Sequence, residues 1–286
     1  MKNLVKQLNA KFVLVLLAMA TITACGDDSE NPDAEEATAI QLSTNATLGQ
    51  ILTDTDGVTL YVFAKDVSGN SACVDGCLNK WPIYYAKEPQ IGTGLEAGDF
   101  AVITHSNGSK QTTYKGWPLY YFSPAGDGVL ETAGATAGDG AGGAFFVAKP
   151  DYSIMMANAQ LVGNDGKNYT STYEEGEGAT AFFVNASGRT LYAFTNDSKD
   201  VNTFTASDFS NNTIWPVYAK ELKAVVSAAS QSDFGSIDVF GESQLTYKGW
   251  PLYYFGQDTE RGETKGVSVP SPGAWPVVNT ETVGAE

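Results

Sequence analysis

The chain has 286 residues, 43% of them hydrophobic, which is enough to bury a core, and it carries a formal charge of −16. Its first 24 residues hold three lysines and no acid, so the remainder stands at −19. A body this acidic is repelled by nucleic acid and by anionic headgroups, which excludes both as expected partners and leaves cations, basic partners or neutral surfaces.

Lys2, Lys6 and Lys11 precede an apolar run at residues 12–20 that is too short to cross a bilayer core of about 30 Å. Small residues then lead to Ile22-Thr23-Ala24-Cys25, which resembles the lipobox of bacterial lipoproteins. That resemblance implies cleavage before Cys25 and lipidation of its thiol, so acyl chains rather than a helix hold the protein at a membrane. Residues 1–24 are then a signal peptide and 25–40 an acidic tether, poor in apolar residues and solvated. The acidic run after Cys25 resembles the surface-export signal of Bacteroidetes lipoproteins. It implies an outer-membrane, surface-exposed place in the cell envelope.

Residues 48–52 read as an apolar strand, 54–57 as a turn and 58–63 as a second strand with apolar residues on both faces. Cys73 and Cys77 follow in a Gly- and Asp-containing loop. With Cys25 lipidated they are the remaining pair in an oxidising setting, and a disulfide is expected. Residues 100–104 form a strand ended by His105, the single histidine, which excludes His-based zinc and bis-histidine haem sites. No metal or cofactor is expected.

The stretch at 111–122 (QTTYKGWPLYYF) returns at 244–255 (QLTYKGWPLYYF), and other landmarks keep nearly the same offset. Tyr61, Phe63 and Asp66 recur as Tyr192, Phe194 and Asp197; Trp117, Pro118, Tyr120 and Tyr121 recur as Trp250, Pro251, Tyr253 and Tyr254. An offset this steady means two tandem copies of one unit. All five tryptophans precede a proline, which drives them to extended backbone and marks strand entries. The rings are either core or a platform for a flat ligand, and sequence leaves both open.

Residues 124–143, rich in Gly and Ala, read as a mobile loop, and 151–178 as an addition to the repeat containing one hairpin. Asp258, Glu260 and Glu263 in the run 258–266 do not match a calcium loop and read as a solvated turn. The fold class is therefore all-β: two tandem copies of a small antiparallel unit, sandwich or barrel-like, at 41–150 and 181–280, joined by a connector at 151–180 and ended by a tail at 281–286.

The Yx(F/W/Y)xxD pattern at 61–66, the cysteine loop before Trp81-Pro82 and the twelve-residue signature together resemble the secreted-repeat lipoproteins of bacteria. The resemblance covers most of 43–149 and 181–279 and implies a lipoprotein of unassigned function, with no catalytic residue to carry over. The role expected is non-catalytic binding of an unknown protein or glycan ligand. Two other roles compete with it. One is an accessory in envelope electron transfer, for which the chain has tyrosines and no cofactor ligands. The other is a carboxylate-based hydrolase, which would need Asp66 and Asp197 to meet.

Overall fold

The computed structural model describes residues 39–286; the leader, the lipobox and Cys25 lie outside them. In chain order come β1 (Ala39–Asn45), β2 (Gly49–Thr53), β3 (Tyr61–Phe63), the four-residue helix α1 (Cys77–Lys80), β4 (Gln90–Ile91), β5 (Phe100–Thr104), β6 (Lys110–Tyr114), β7 (Trp117–Pro118) and β8 (Phe145–Val147). The chain goes on through β9 (Tyr152–Val162), β10 (Asn168–Tyr169), β11 (Ala179–Val184), β12 (Ala224–Val225), β13 (Phe234–Val239), β14 (Glu242–Tyr247) and β15 (Trp250–Pro251). The protein is all-β, in several small and mainly antiparallel sheets with no closed barrel among the described residues.

The same pairings are made twice. β1 runs antiparallel to β2 and parallel to β4, with Leu42 opposite Leu52 and Ile40 opposite Ile91. β9 runs antiparallel to β11 and parallel to β12, with Met156 opposite Phe183 and Ile154 opposite Val225. So β9 is the counterpart of β1. This corrects the reading of 151–178 as wholly additional: only the excursion after β9, whose β10 pairs back on its end, is extra. The inserted residues shift the offset, and for that reason the landmarks in sequence did not reveal the match.

The signature twelve-mer supplies β6 and β7 of the meander β5-β6-β7, and β14 and β15 of its repeat β13-β14-β15. Lys115-Gly116 and Lys248-Gly249 all have positive φ, the two-residue reversal that the strand twist favours. The proline lies on the two-residue outer strand, opposite Thr113 in one copy and Thr246 in the other, where its missing N–H does least harm. The glutamine that opens each twelve-mer is fully buried. Gln111 donates to the Leu119 carbonyl at 2.9 Å and Gln244 to that of Leu252 at 2.8 Å.

One apolar cluster runs through both copies, and the described residues form a single compact unit. At the centre of each copy three rings stack. Phe145 lies between Phe63 at 4.0 Å and Trp81 at 3.7 Å; Trp275 lies between Phe194 at 4.3 Å and Trp215 at 3.7 Å. Tyr61 meets Trp81 edge-on at 5.4 Å, as Tyr192 meets Trp215. Each such pair adds about 0.5–1.5 kcal/mol beyond the area it buries.

Candidate functional site

The repeated aromatic residues are core. Tyr61, Trp117, Tyr120, Tyr192 and Tyr253 are buried, as are Phe63 and the prolines Pro118 and Pro251. Tyr121, Phe194, Tyr254 and Trp250 are half-buried and pack against that core. The open question of core or platform resolves toward core.

The buried phenols of the repeated tyrosines Tyr61, Tyr120, Tyr192 and Tyr253 are matched to carboxylates, whereas the buried Tyr84 hydroxyl has no partner among the described residues. Tyr120 donates to Asp66 Oδ2 at 2.6 Å and Tyr253 to Asp197 Oδ2 at 2.7 Å. The other oxygen of each aspartate accepts a backbone N–H at 2.7 Å, from Ala72 and from Thr203, so each closes its own loop. A second pair was not visible in sequence: Tyr61 donates to Glu131, and Tyr192 to Asp258 Oδ2 at 2.6 Å. Burial pushes the Asp66 and Asp258 carboxyls up to about 7 and raises those of Asp197 and Glu131, against the pull of the phenol and amide donors.

Two sequence readings are corrected here. The Gly/Ala-rich stretch at 124–143 is largely exposed but anchored at two points, because Glu131 and Gly138 within it are buried against Tyr61. Asp258 is likewise buried rather than part of a solvated turn. A Cβ on Gly138 would lie 2.9 Å from Phe122 and Trp81, and one on Gly266 would lie 2.7 Å from Trp215 and 2.9 Å from Tyr192. Only glycine lets these loops reach the aromatic stack. Glu131 and Asp258 escaped notice because the residue type changes and the spacing slips. The glycine seven or eight residues later was the available signal.

Cys73 and Cys77 form the expected disulfide, with Cα atoms 5.3 Å apart. In the second copy the position after Thr203 is Phe204, whose ring packs on Phe194, Tyr253 and Trp275. An aromatic plug takes the place of the bridge. His105 contacts Gln111 Oε1 at 2.9 Å.

Within the apolar cluster that the copies share, Trp117 and Arg261 tie them together with polar contacts. Trp117 gives its indole N–H to the Ala186 carbonyl at 2.8 Å. Arg261, from a loop read as solvated, lies 4.8 Å over the Trp117 ring and donates to Val67, Lys115 and Ser187 carbonyls at 2.7–2.9 Å. Beside this junction lies an open cleft of about 620 Å3, lined by Lys115, Lys220, Lys223, Asn185, Ser187 and Tyr254 among others. A second hollow of about 560 Å3, which Lys149 also lines, shares Pro150, Asp151 and Lys223 with it. Lys115 is spoken for by the Pro150 carbonyl and Asp99, whereas Lys220 and Lys223 have no ion-pair partner among the described residues.

The cleft can hold a ligand with hydroxyl and anionic groups. Its rim offers ammonium, amide and hydroxyl donors beside the carboxylates of Asp99, which pairs with Lys115, and Asp151, and the Tyr254 ring is fixed under Arg189 at 4.2 Å. The hydrogen bonds of Asp66 and Asp197 stay within their own copies, and the structure does not join the two acids into a pair. Among the described residues no group of three or more His, Cys, Asp or Glu is placed to hold a metal ion.

The model of a family described as a secreted repeat of unknown function matches residues 43–84, 101–149 and 238–279. These segments cover most of the first copy and the second half of the other. The stretch at 181–237, where Phe204 replaces the cysteine, is unmatched although its pairings repeat. No curated protein and no solved structure matches the chain.

Proposed function

For a chain that carries the secreted repeat of this family, we propose a lipid-anchored protein of the bacterial cell envelope that works by binding, with the inter-copy cleft as its ligand site. The observation that carries this is the cleft itself: in a chain of charge −16, two lysines without ion-pair partners face a hollow of saccharide size at the repeat junction. The buried carboxylates support binding over catalysis, since each is already engaged by a phenol. The anchor rests on the lysine-rich leader, the apolar run and Cys25, with the protein held at the outer membrane and facing outward. No helix among the described residues is long and apolar enough to cross a membrane.

The ligand that suits the cleft is a short glycan bearing a carboxylate. The overall negative charge repels long polyanions, and the local lysines select a short one. Calorimetric titration with a uronic-acid tetrasaccharide and a neutral glucan tetrasaccharide tests this. The acidic sugar should bind more tightly, and Lys220→Glu with Lys223→Glu should weaken it at least tenfold. Equal affinity for the neutral sugar, or no effect of the substitutions, refutes the assignment. Incorporation of an alkynyl palmitate into the wild-type chain and not into Cys25→Ser tests the anchor.

A further inference from the structure

The hairpins β5–β6 and β13–β14 hold the same place in the two copies but turn differently. The first reverses through residues 105–109, where His105 N–H bonds to Ser109 and the positive φ belongs to Gly108 alone. The second reverses in two residues, Phe240 and Gly241, both at positive φ. Such a turn calls for Asn-Gly, Asp-Gly or Gly-Gly, and a bulky aromatic in its first position is strained. Phe240 is nevertheless there, and it is 58% exposed.

Its ring meets that of Phe209 edge-on, 6.2 Å away. Phe209 is half-buried and also sits at positive φ, in a different loop. Two strained backbone positions thus bring two rings to one spot on the surface. The fold does not need the arrangement, since the sister hairpin is built with Asn107-Gly108. Exposed Asp208, Asp238 and Glu242 flank the two rings in sequence.

We propose that Phe209 and Phe240 form a docking wedge for a protein partner that offers an apolar socket rimmed by lysine or arginine. Charge selects the occupant. Three exposed acids within two residues of the rings in sequence oppose entry into an anionic lipid surface and complement a basic rim. Strain retained at an exposed site is the mark of a contact residue rather than a packing residue.

The test uses the full chain carrying 4-fluorophenylalanine, with three probes: an amphipathic Leu/Lys peptide, its Leu/Glu counterpart, and vesicles of phosphatidylcholine with phosphatidylglycerol. The Leu/Lys peptide should shift the Phe240 fluorine resonance. Phe240→Asn should weaken that binding at least tenfold while holding or raising the melting temperature, because Asn suits the turn. Asp238→Asn with Glu242→Gln should weaken it further than salt alone does in the variant. Equal binding by Phe240→Asn or by the Leu/Glu peptide overturns the proposal. Vesicle binding that depends on Phe240 also overturns it, in favour of a lipid surface.

Discussion

Trp117 and Trp250 hold the same place in the two copies, and each gives its indole N–H to a backbone carbonyl at 2.8 Å, Ala186 in the first and Val283 in the second. The first acceptor belongs to the neighbouring copy and the second to the C-terminal tail. Another contact follows the same rule: Arg261 of the second copy donates to the Lys115 carbonyl, while the Ala285 N–H of the tail serves that of Lys248. Lys248 also donates to Thr280 and Thr282, where Lys115 donates to Pro150 at the end of its own copy. The tail therefore does for the second copy what the second copy does for the first. It closes an edge that a further repeat would otherwise cover.

Removal of residues 279–286 should leave Trp250 and Lys248 without their acceptors. At about 1 kcal/mol for each of three lost hydrogen bonds, the melting temperature should fall by roughly 5–10 °C. Tryptophan emission should shift to the red as Trp250 meets water. A truncated chain with unchanged melting and emission would show that the tail only lies alongside.

Arg261 brings together carbonyls from both copies, and its guanidinium is partly withdrawn from water, which lowers its pKa to about 10. Arg261→Met keeps the stem and strands Val67, Lys115 and Ser187. It should cost about 3 kcal/mol in urea unfolding. Arg261→Lys should recover little, because an ammonium cannot reproduce the planar fork over Trp117. Full recovery by lysine would mean that charge alone holds the junction.

Gly138 and Gly266 have ordinary negative-φ or extended backbone, so alanine there meets a space problem and not a dihedral one. Gly138→Ala and Gly266→Ala should each destabilise by about 1–3 kcal/mol, the usual cost of overpacking. Each should also change the near-ultraviolet circular dichroism, because Trp81 or Trp215 must move. Alanine tolerated at both sites would mean the stacks are looser than their 3.7 Å spacing implies.

Asp66 and Asp258 hold protons more tightly folded than unfolded, with carboxyls at about 7 against an unfolded value near ~3.9. Their contribution to stability is full below that unfolded value, is lost as pH rises toward 7, and is flat above. Asp66→Asn should remove a slope of the order of 1 kcal/mol per pH unit between pH 5 and 7. Urea titrations of both proteins at pH 5, 6, 7 and 8 measure it. Parallel curves would show that Asp66 ionises normally in its aromatic cage.

Much of the site was readable only in part. Asp66 and Asp197 stood out because they follow an aromatic strand at constant spacing, and their turn-closing role is local. Glu131 and Asp258 did not, since their partners Tyr61 and Tyr192 lie 70 and 66 residues away and nothing nearby marks them. Arg261 carries no local mark either, because the Val67 carbonyl it serves lies 194 positions earlier.

What the sequence by itself determined is whatever short-range chemistry dictates. Strands were set by alternating and continuous apolar runs, reversals by glycine and asparagine, the disulfide by a close cysteine pair, and the duplication by steady spacing. Only tertiary structure decided which carboxylate meets which phenol, that β9 restates β1, and that a cleft opens where the copies join. Those outcomes depend on groups brought together across long stretches of chain, where shape and burial choose the partner and neighbouring residues carry no record of the choice.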